Sequence, residues 1–148
     1  MNDFLLMTSY KEQSFIVYIH NNEVTFPGLH DPGKDTWNSI CATWKPDSKL
    51  SQIWINGNPS EKKAHSRATL YENPTIILGQ EQDSVGGGFN LDQSFAGKMT
   101  DVHMWDYVLS ACEIRRFARD FYFTPGNVLN WKALDYSTTG SVSVEDKA

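Results

Sequence analysis

"SFIVYIHNN", residues 14–22, alternates with a period of two: Phe15, Val17 and Ile19 fall on one face and Ile16 and Tyr18 on the other. An extended chain turns successive side chains to opposite sides, so this is the pattern of a strand with one face against a core. Asn21-Asn22 follows as a turn signal. "NSICATW" (38–44) and "SQIWING" (51–57) repeat the alternation, and Asn56-Gly57 is a strong two-residue hairpin signal. "PTIILGQ" (74–80) reads as a short, fully apolar strand, "SFAGKMTDVHMWDY" (94–107) as another, and "NVLNWKALDY" (127–136) and "GSVSVED" (140–146) as the closing ones. Short strands separated by turns predict an antiparallel β-sandwich.

One segment has a different period. In "SACEIRRFARD" (110–120), Ser110 and Glu113 stand at capping-box spacing, and Ile114, Phe117 and Ala118 follow helical periodicity. The spacing predicts a single helix on a sheet face, with Arg115, Arg116 and Arg119 turned to solvent.

With 148 residues the chain is long enough for one domain with a core. Eight Phe, six Tyr and five Trp suit sheet faces more than helical bundles. A net charge of −5 with no basic run argues against nucleic-acid binding, which needs a positive footprint. No apolar run approaches the roughly 18 residues of a membrane span, and "MNDFLLMTSY" lacks the basic start of a signal peptide. Cys41 and Cys112, without a CxxC, argue against zinc and thioredoxin-type chemistry. The count allows one disulfide or two free thiols.

The chemistry concentrates in "GQEQDSVGGGFNLDQ" (79–93), which gathers Glu81, Gln82, Asp83, Asn90, Asp92 and Gln93 around three glycines and contains no Lys, Arg, His or Cys. On a strand, Glu81 and Asp83 would share a face about 6.6 Å apart. Two such carboxylates repel unless a cation lies between them. Calcium takes oxygen ligands from carboxylates, amides and main-chain carbonyls, and this stretch offers all three. Gly86-Gly87-Gly88 can bend the chain back so that Asn90 and Gln93 face the same ion. The stretch therefore reads either as a solvated polar loop or as a calcium loop outside the EF-hand pattern. An enzyme reading fares worse. Glu81-Gln82-Asp83 matches the first half of a glycosidase Glu-x-Asp-x-x-Glu, but position 86 is Gly, so the second carboxyl needed for hydrolysis is missing. No G-x-S-x-G or H-E-x-x-H occurs either, and Asp101 with His103, on one strand face, reads as a structural pair or as surface positions. A ligand-free structural or interaction module is the remaining alternative.

"IILGQEQDSVGGGFNLDQSFAGKMTDVHMWDYVLS" (76–110), Cys41-Ala42-Thr43-Trp44 and "GNVLNWKALDY" (126–136) together resemble the pentraxins, with the C-reactive-protein-like members of fishes resembling the chain most. The resemblance runs through almost the whole chain. It implies an all-β, antiparallel jelly-roll sandwich with one α-helix near 110–120, as a single domain over 1–148 that lacks the family's first strands and signal peptide. It implies a secreted, extracellular recognition protein of innate immunity, not an enzyme, which commonly forms a cyclic homo-oligomer such as a pentamer. The implied calcium ligands are Glu81, the main-chain carbonyl of Gln82, Asp83 and Gln93, with Asn90 where the family has an acidic residue. Asn2 completes them from an earlier strand, with Met1 where the family has Asp. The implied ligand is phosphocholine or a related anionic group bridged to calcium, with Glu23 receiving the ammonium, Met7 as an apolar wall and Tyr18 narrowing the pocket. The signature cysteine's usual partner precedes this chain, which leaves Cys41 without it.

Overall fold

The computed structural model describes residues 4–9, 12–28, 35–66, 69–70, 75–84, 86–119 and 122–146. Contacts divide the chain into two compact units, one of residues 1–98 and 107–124, the other of 99–106 and 125–148.

The larger unit is built on two antiparallel sheets. In the first, β1 (Phe4–Ser9) pairs with β2 (Ser14–Ile19), and β2 with β3 (Asn22–Pro27). In the second, β4 (Ile40–Lys45) pairs with β5 (Leu50–Ile55), which also pairs with the short β6 (Asn58–Pro59) and β7 (Lys63–Ala64). The alternation read in the sequence is the alternation of burial. Phe15, Val17, Ile19 and Phe26 from the first sheet meet Ile53 from the second, flanked by Leu6, Val24, Ala42, Trp44 and Ile55. Cross-strand pairs Phe15–Phe26 and Val17–Val24 lock that face in register.

Two turns hold these hairpins. Asn56-Gly57 joins β5 to β6 with positive φ at both residues (50° and 80°), as its type I′ geometry requires. The β2–β3 turn lies one residue earlier than the expected Asn21-Asn22. His20 and Asn21 take the positive φ values (47° and 60°), and Asn22 already pairs with Ile19. Asn22 is held in the strand by its other duties, since its carbonyl accepts from His65 and its side chain accepts from the Ser66 amide.

The capping box forms as predicted: Ser110 Oγ accepts from the Glu113 amide, Glu113 Oε2 accepts from the Ser110 amide, and α1 (Ala111–Ala118) follows. Ile114 is buried, whereas Arg115, Arg116 and Arg119 are exposed. The helix rests on the outer face of the second sheet. There the Arg115 guanidinium lies over the Trp54 ring at 5.8 Å, and a side chain on Gly57 would meet Arg115 Cγ at 3.3 Å. Both cysteines are free thiols. Burial pushes the Cys41 thiol up to about 11, against a smaller lowering by its hydrogen bond with Ser39. Such a thiol is inert at neutral pH.

The later strand expectations contract. No ladder forms over 75–83, where Ile76 and Leu78 are 39% and 43% exposed. Of residues 94–107 only β8 (His103–Met104) is a strand, paired with β9 (Leu129–Asn130) in the smaller unit, and 140–146 is irregular. An apolar or alternating run can form a strand only where a second backbone is in place to complete the ladder.

His65 ties the two sheets together. It is 3% exposed, with Nδ1 3.1 Å from the Asn22 carbonyl of β3 and Nε2 2.7 Å from Ser51 Oγ of β5. A carbonyl only accepts, so Nδ1 carries the proton and neutral Nε2 accepts from Ser51. Burial lowers the His65 pKa, and the Asn22 bond opposes this less strongly. The unfolded chain therefore binds this proton more readily than the fold does. Stability is complete above the unfolded value of about 6.5 and falls as pH drops through it towards the lowered folded value. Thermal melts from neutral to about pH 5 should show a steeper loss for the wild type than for His65→Gln. Parallel slopes would mean that His65 does not titrate on unfolding.

Candidate functional site

The first sheet turns its inner face to the core and presents Met7, Ile16, Tyr18, Glu23 and Thr25 on the opposite face. Register dictates this, because Met7 stands opposite Ile16, and Tyr18 opposite both Leu5 and Glu23. Tyr18 Oη donates to Glu23 Oε2 at 2.9 Å. The phenol is pushed up in pKa by burial first, then by its hydrogen bond to Glu23 and that carboxylate's charge, and last by the field of Glu81. Met7, Tyr18 and Glu23 share one surface.

The loop 79–95 is closed on itself. The Phe95 amide donates to the Gly79 carbonyl at 2.8 Å, and Gln80 Nε2 donates to Ser94 Oγ. Within it, Ser84 and Gly87 exchange main-chain hydrogen bonds of 3.2 and 3.0 Å, making the tight reversal that the glycines suggested. Gly86 and Gly88 have φ of +72° and +73°. A Cβ on Gly88 would lie 2.7 Å from Asp83 Cβ, so the returning chain presses directly on Asp83.

Glu81 and Asp83 do not stand on a strand as expected. Glu81 is 6% exposed whereas Asp83 is exposed, because the reversal starts at Ser84 and takes this segment out of extended pairing. Gln82 contributes more than its carbonyl. Its side-chain Oε1 accepts from the Gly86 amide at 2.9 Å, latching the turn. Asn90 Oδ1 accepts from the Asp92 amide at 3.0 Å and caps a 3-10 turn over Leu91–Gln93. Gln93, at the end of that turn, is exposed. Asn2 lies outside the described residues.

The donors of this loop suit a hard cation. They are all oxygens: the buried Glu81 carboxylate, the Asp83 carboxylate, amide oxygens and main-chain carbonyls. Gln80 Oε1 is buried with no hydrogen-bond donor among the described residues. Among the described residues no three His, Cys, Asp or Glu side chains gather as a metal cluster. Any ion here would draw much of its shell from neutral oxygens, which calcium accepts. His103, singled out with Asp101, belongs to the smaller unit and is structural there. Its Nδ1 accepts from the Gly126 amide at 3.2 Å, and its ring stacks on Trp105 at 5.8 Å.

Sequence reading missed the Gln82 latch, the Gln80–Ser94 and Gly79–Phe95 closures and the Ser51–His65–Asn22 bridge. Each joins residues whose spacing follows no helix or strand period, so only the folded backbone reveals them.

Comparison with known proteins gives a consistent result. The profile of the Pentaxin family matches residues 1–146. Mouse (Mus musculus) serum amyloid P-component is 39% identical over 97% of this chain and 63% of its own length. Rat (Rattus norvegicus) C-reactive protein is 39% identical over 97% of this chain and 61% of its own. The chain thus spans somewhat less than two thirds of the length of these relatives. The crystal structure of the native heptameric SAP-like pentraxin of Limulus polyphemus superposes with a TM-score of 0.70 at 20% identity, covering 89% of this chain and 64% of that one. That likeness and the antiparallel sheets establish the fold as a β-sandwich with one helix. This chain belongs to the Pentaxin family.

Proposed function

We propose that this protein is a calcium-dependent recognition protein of innate immunity, acting outside the cell on phosphocholine or related anionic groups. The observation that carries this reading is the adjacency of two chemistries. The Glu81 carboxylate of the oxygen-rich 81–93 loop acts through its field, as the weakest of four causes, on the Tyr18 phenol that donates to Glu23. A ligand with a phosphate at one end and a quaternary ammonium at the other needs such a pair of neighbours.

Glu81, the Gln82 carbonyl, Asp83 and Gln93 would hold calcium, with Asn90 and Asn2 adding neutral oxygens. Bound calcium supplies a positive, Lewis-acidic point to which phosphate oxygens are drawn. The rest falls to the chain's own groups. Glu23 attracts the ammonium, Met7 offers a pliable apolar wall, and Tyr18 fixes the Glu23 rotamer through its hydroxyl. None of these roles requires bond making, which suits a binding protein. The heptameric Limulus relative supports ring assembly of the family's complete proteins, since a closed set of seven equivalent copies is a ring.

The test compares phosphocholine with phosphoethanolamine on immobilised ligand. An exposed carboxylate–ammonium contact is worth about 0–1 kcal/mol, so Glu23→Gln should reduce choline preference roughly five-fold or less while calcium-dependent phosphate binding survives. An unchanged preference would remove Glu23 from the site.

A further inference from the structure

Residues 63–66 join the second sheet to the strand that carries Glu23. They are anchored to β5, where Lys63 pairs with Ser51 and Ala64 with Leu50, and the His65 amide donates to the Lys49 carbonyl at 2.8 Å. From there they hold β3 on either side of Glu23. His65 Nδ1 donates to the Asn22 carbonyl at 3.1 Å, and the Ser66 amide donates to Asn22 Oδ1 at 2.8 Å. Lys63 Nζ donates to the Thr25 carbonyl at 2.7 Å. Glu23 follows Asn22 directly and meets Tyr18 across the ladder, so a shift of Asn22 moves the carboxylate that Tyr18 holds.

The imidazole in this tether titrates near neutral pH. It is faced by the Asn22 carbonyl from β3 and the Ser51 hydroxyl from β5, neither of which titrates there. Lys63 stands two residues before it, and His20, a second imidazole, lies in the β2–β3 turn two residues before Asn22. Burial causes the lowered His65 pKa, with no contribution from a charged group. A proton taken from solvent lands on Nε2 and turns it from acceptor into donor. Ser51 must then rotate its own hydrogen away, and at 1% exposure that hydrogen has no second acceptor among the described residues. A buried cation and an orphaned donor are both costly there. Moving residues 65–66 outward hydrates both.

We infer that the Ser51–His65–Asn22 bridge is a proton-operated positioning device for Glu23. Neutral His65 holds the start of β3, and protonated His65 releases it and weakens the preference for a quaternary ammonium. That last consequence rests on the reading of Glu23 as the ammonium's partner, whereas the release of Asn22 is visible without any ligand.

The test is hydrogen exchange and imidazole NMR on the full chain, from about pH 7.5 to about pH 5. Protection of the Ser66 amide should fall about ten-fold, while the amides of the central strand β2 keep theirs. The fall should share its midpoint with the His65 ring titration. With calcium saturating, the ratio of phosphocholine to phosphoethanolamine affinity should fall roughly two-fold or more at the same midpoint. His65→Asn keeps a side-chain donor for the Asn22 carbonyl but cannot titrate, so it should show neither fall. His20→Asn should behave as the wild type. Level Ser66 protection in the wild type overturns the proposal, and so does a loss of protection in β2 that keeps step with Ser66. Retention of the full choline preference after Ser66 is released overturns it too, as does a pH response abolished by His20→Asn. A Ser66 release at the His65 midpoint with no choline preference at any pH supports the tether and counts against the Glu23 reading alone.

Discussion

Asp83→Ala is expected to abolish calcium binding, and Asn90→Asp to strengthen it. Only two carboxylates, Glu81 and Asp83, belong to the proposed ligand set, so removing Asp83 halves its formal charge. The wild type should bind at the weak end of the extracellular range, with a dissociation constant of about 10⁻⁴ to 10⁻³ M. The Asn90 substitution is a clean gain of charge. Asn90 caps the 3-10 turn through Oδ1, and an aspartate caps equally well, so the local fold is kept. Titration calorimetry checks both variants. Calcium heats from Asp83→Ala that match the wild type would place the ion elsewhere, and nanomolar wild-type affinity would contradict the reliance on neutral oxygens.

Gly126→Ala should have the largest effect on stability. A Cβ at this position would lie 2.0 Å from the Leu129 carbonyl oxygen and 2.5 Å from that of Met104. Both are backbone atoms of the β8–β9 pair, so no rotamer change relieves the clash. The same glycine's amide donates to His103 Nδ1, and the Val128 amide donates to the Met104 carbonyl at 3.0 Å. The substitution must part these strands, at a cost of about 3 kcal/mol or more. Native-state hydrogen exchange at the Val128 amide should accelerate roughly 100-fold. Unchanged protection there would show that the turn has room for a methyl group.

Much of this fold could be read from the chain before any coordinates. Phe15, Val17 and Ile19 announced the core face because strand periodicity and burial have the same origin. Asn56-Gly57 and the Ser110–Glu113 box worked because each solves a local backbone problem with its own side chains. The Ile76–Leu78 run and the Val142–Val144 alternation misled, since apolar pattern states what a segment could bury and not whether a partner strand is there. The misplaced β2–β3 turn shows how far one residue matters. An Asn21-Asn22 turn would have paired Tyr18 with Thr25, and the Tyr18–Glu23 contact would have gone unseen. At the site, the oxygen-rich composition and the glycine reversal were legible. The division between buried Glu81 and exposed Asp83 was not, because it depends on where the Ser84–Gly87 turn begins. The placing of Arg115 over the Trp54 ring had no sequence signal at all, as those residues lie far apart on elements of different period.

The central claim is that calcium held by the 81–93 loop links the protein to a phosphate-bearing ligand. The most direct measurement is equilibrium binding to immobilised phosphocholine, first with calcium well above its dissociation constant, then in excess chelator, then with calcium restored. Binding should appear, vanish and return, and Asp83→Ala should not bind under any of the three conditions. Wild-type binding that persists undiminished in chelator would contradict the account.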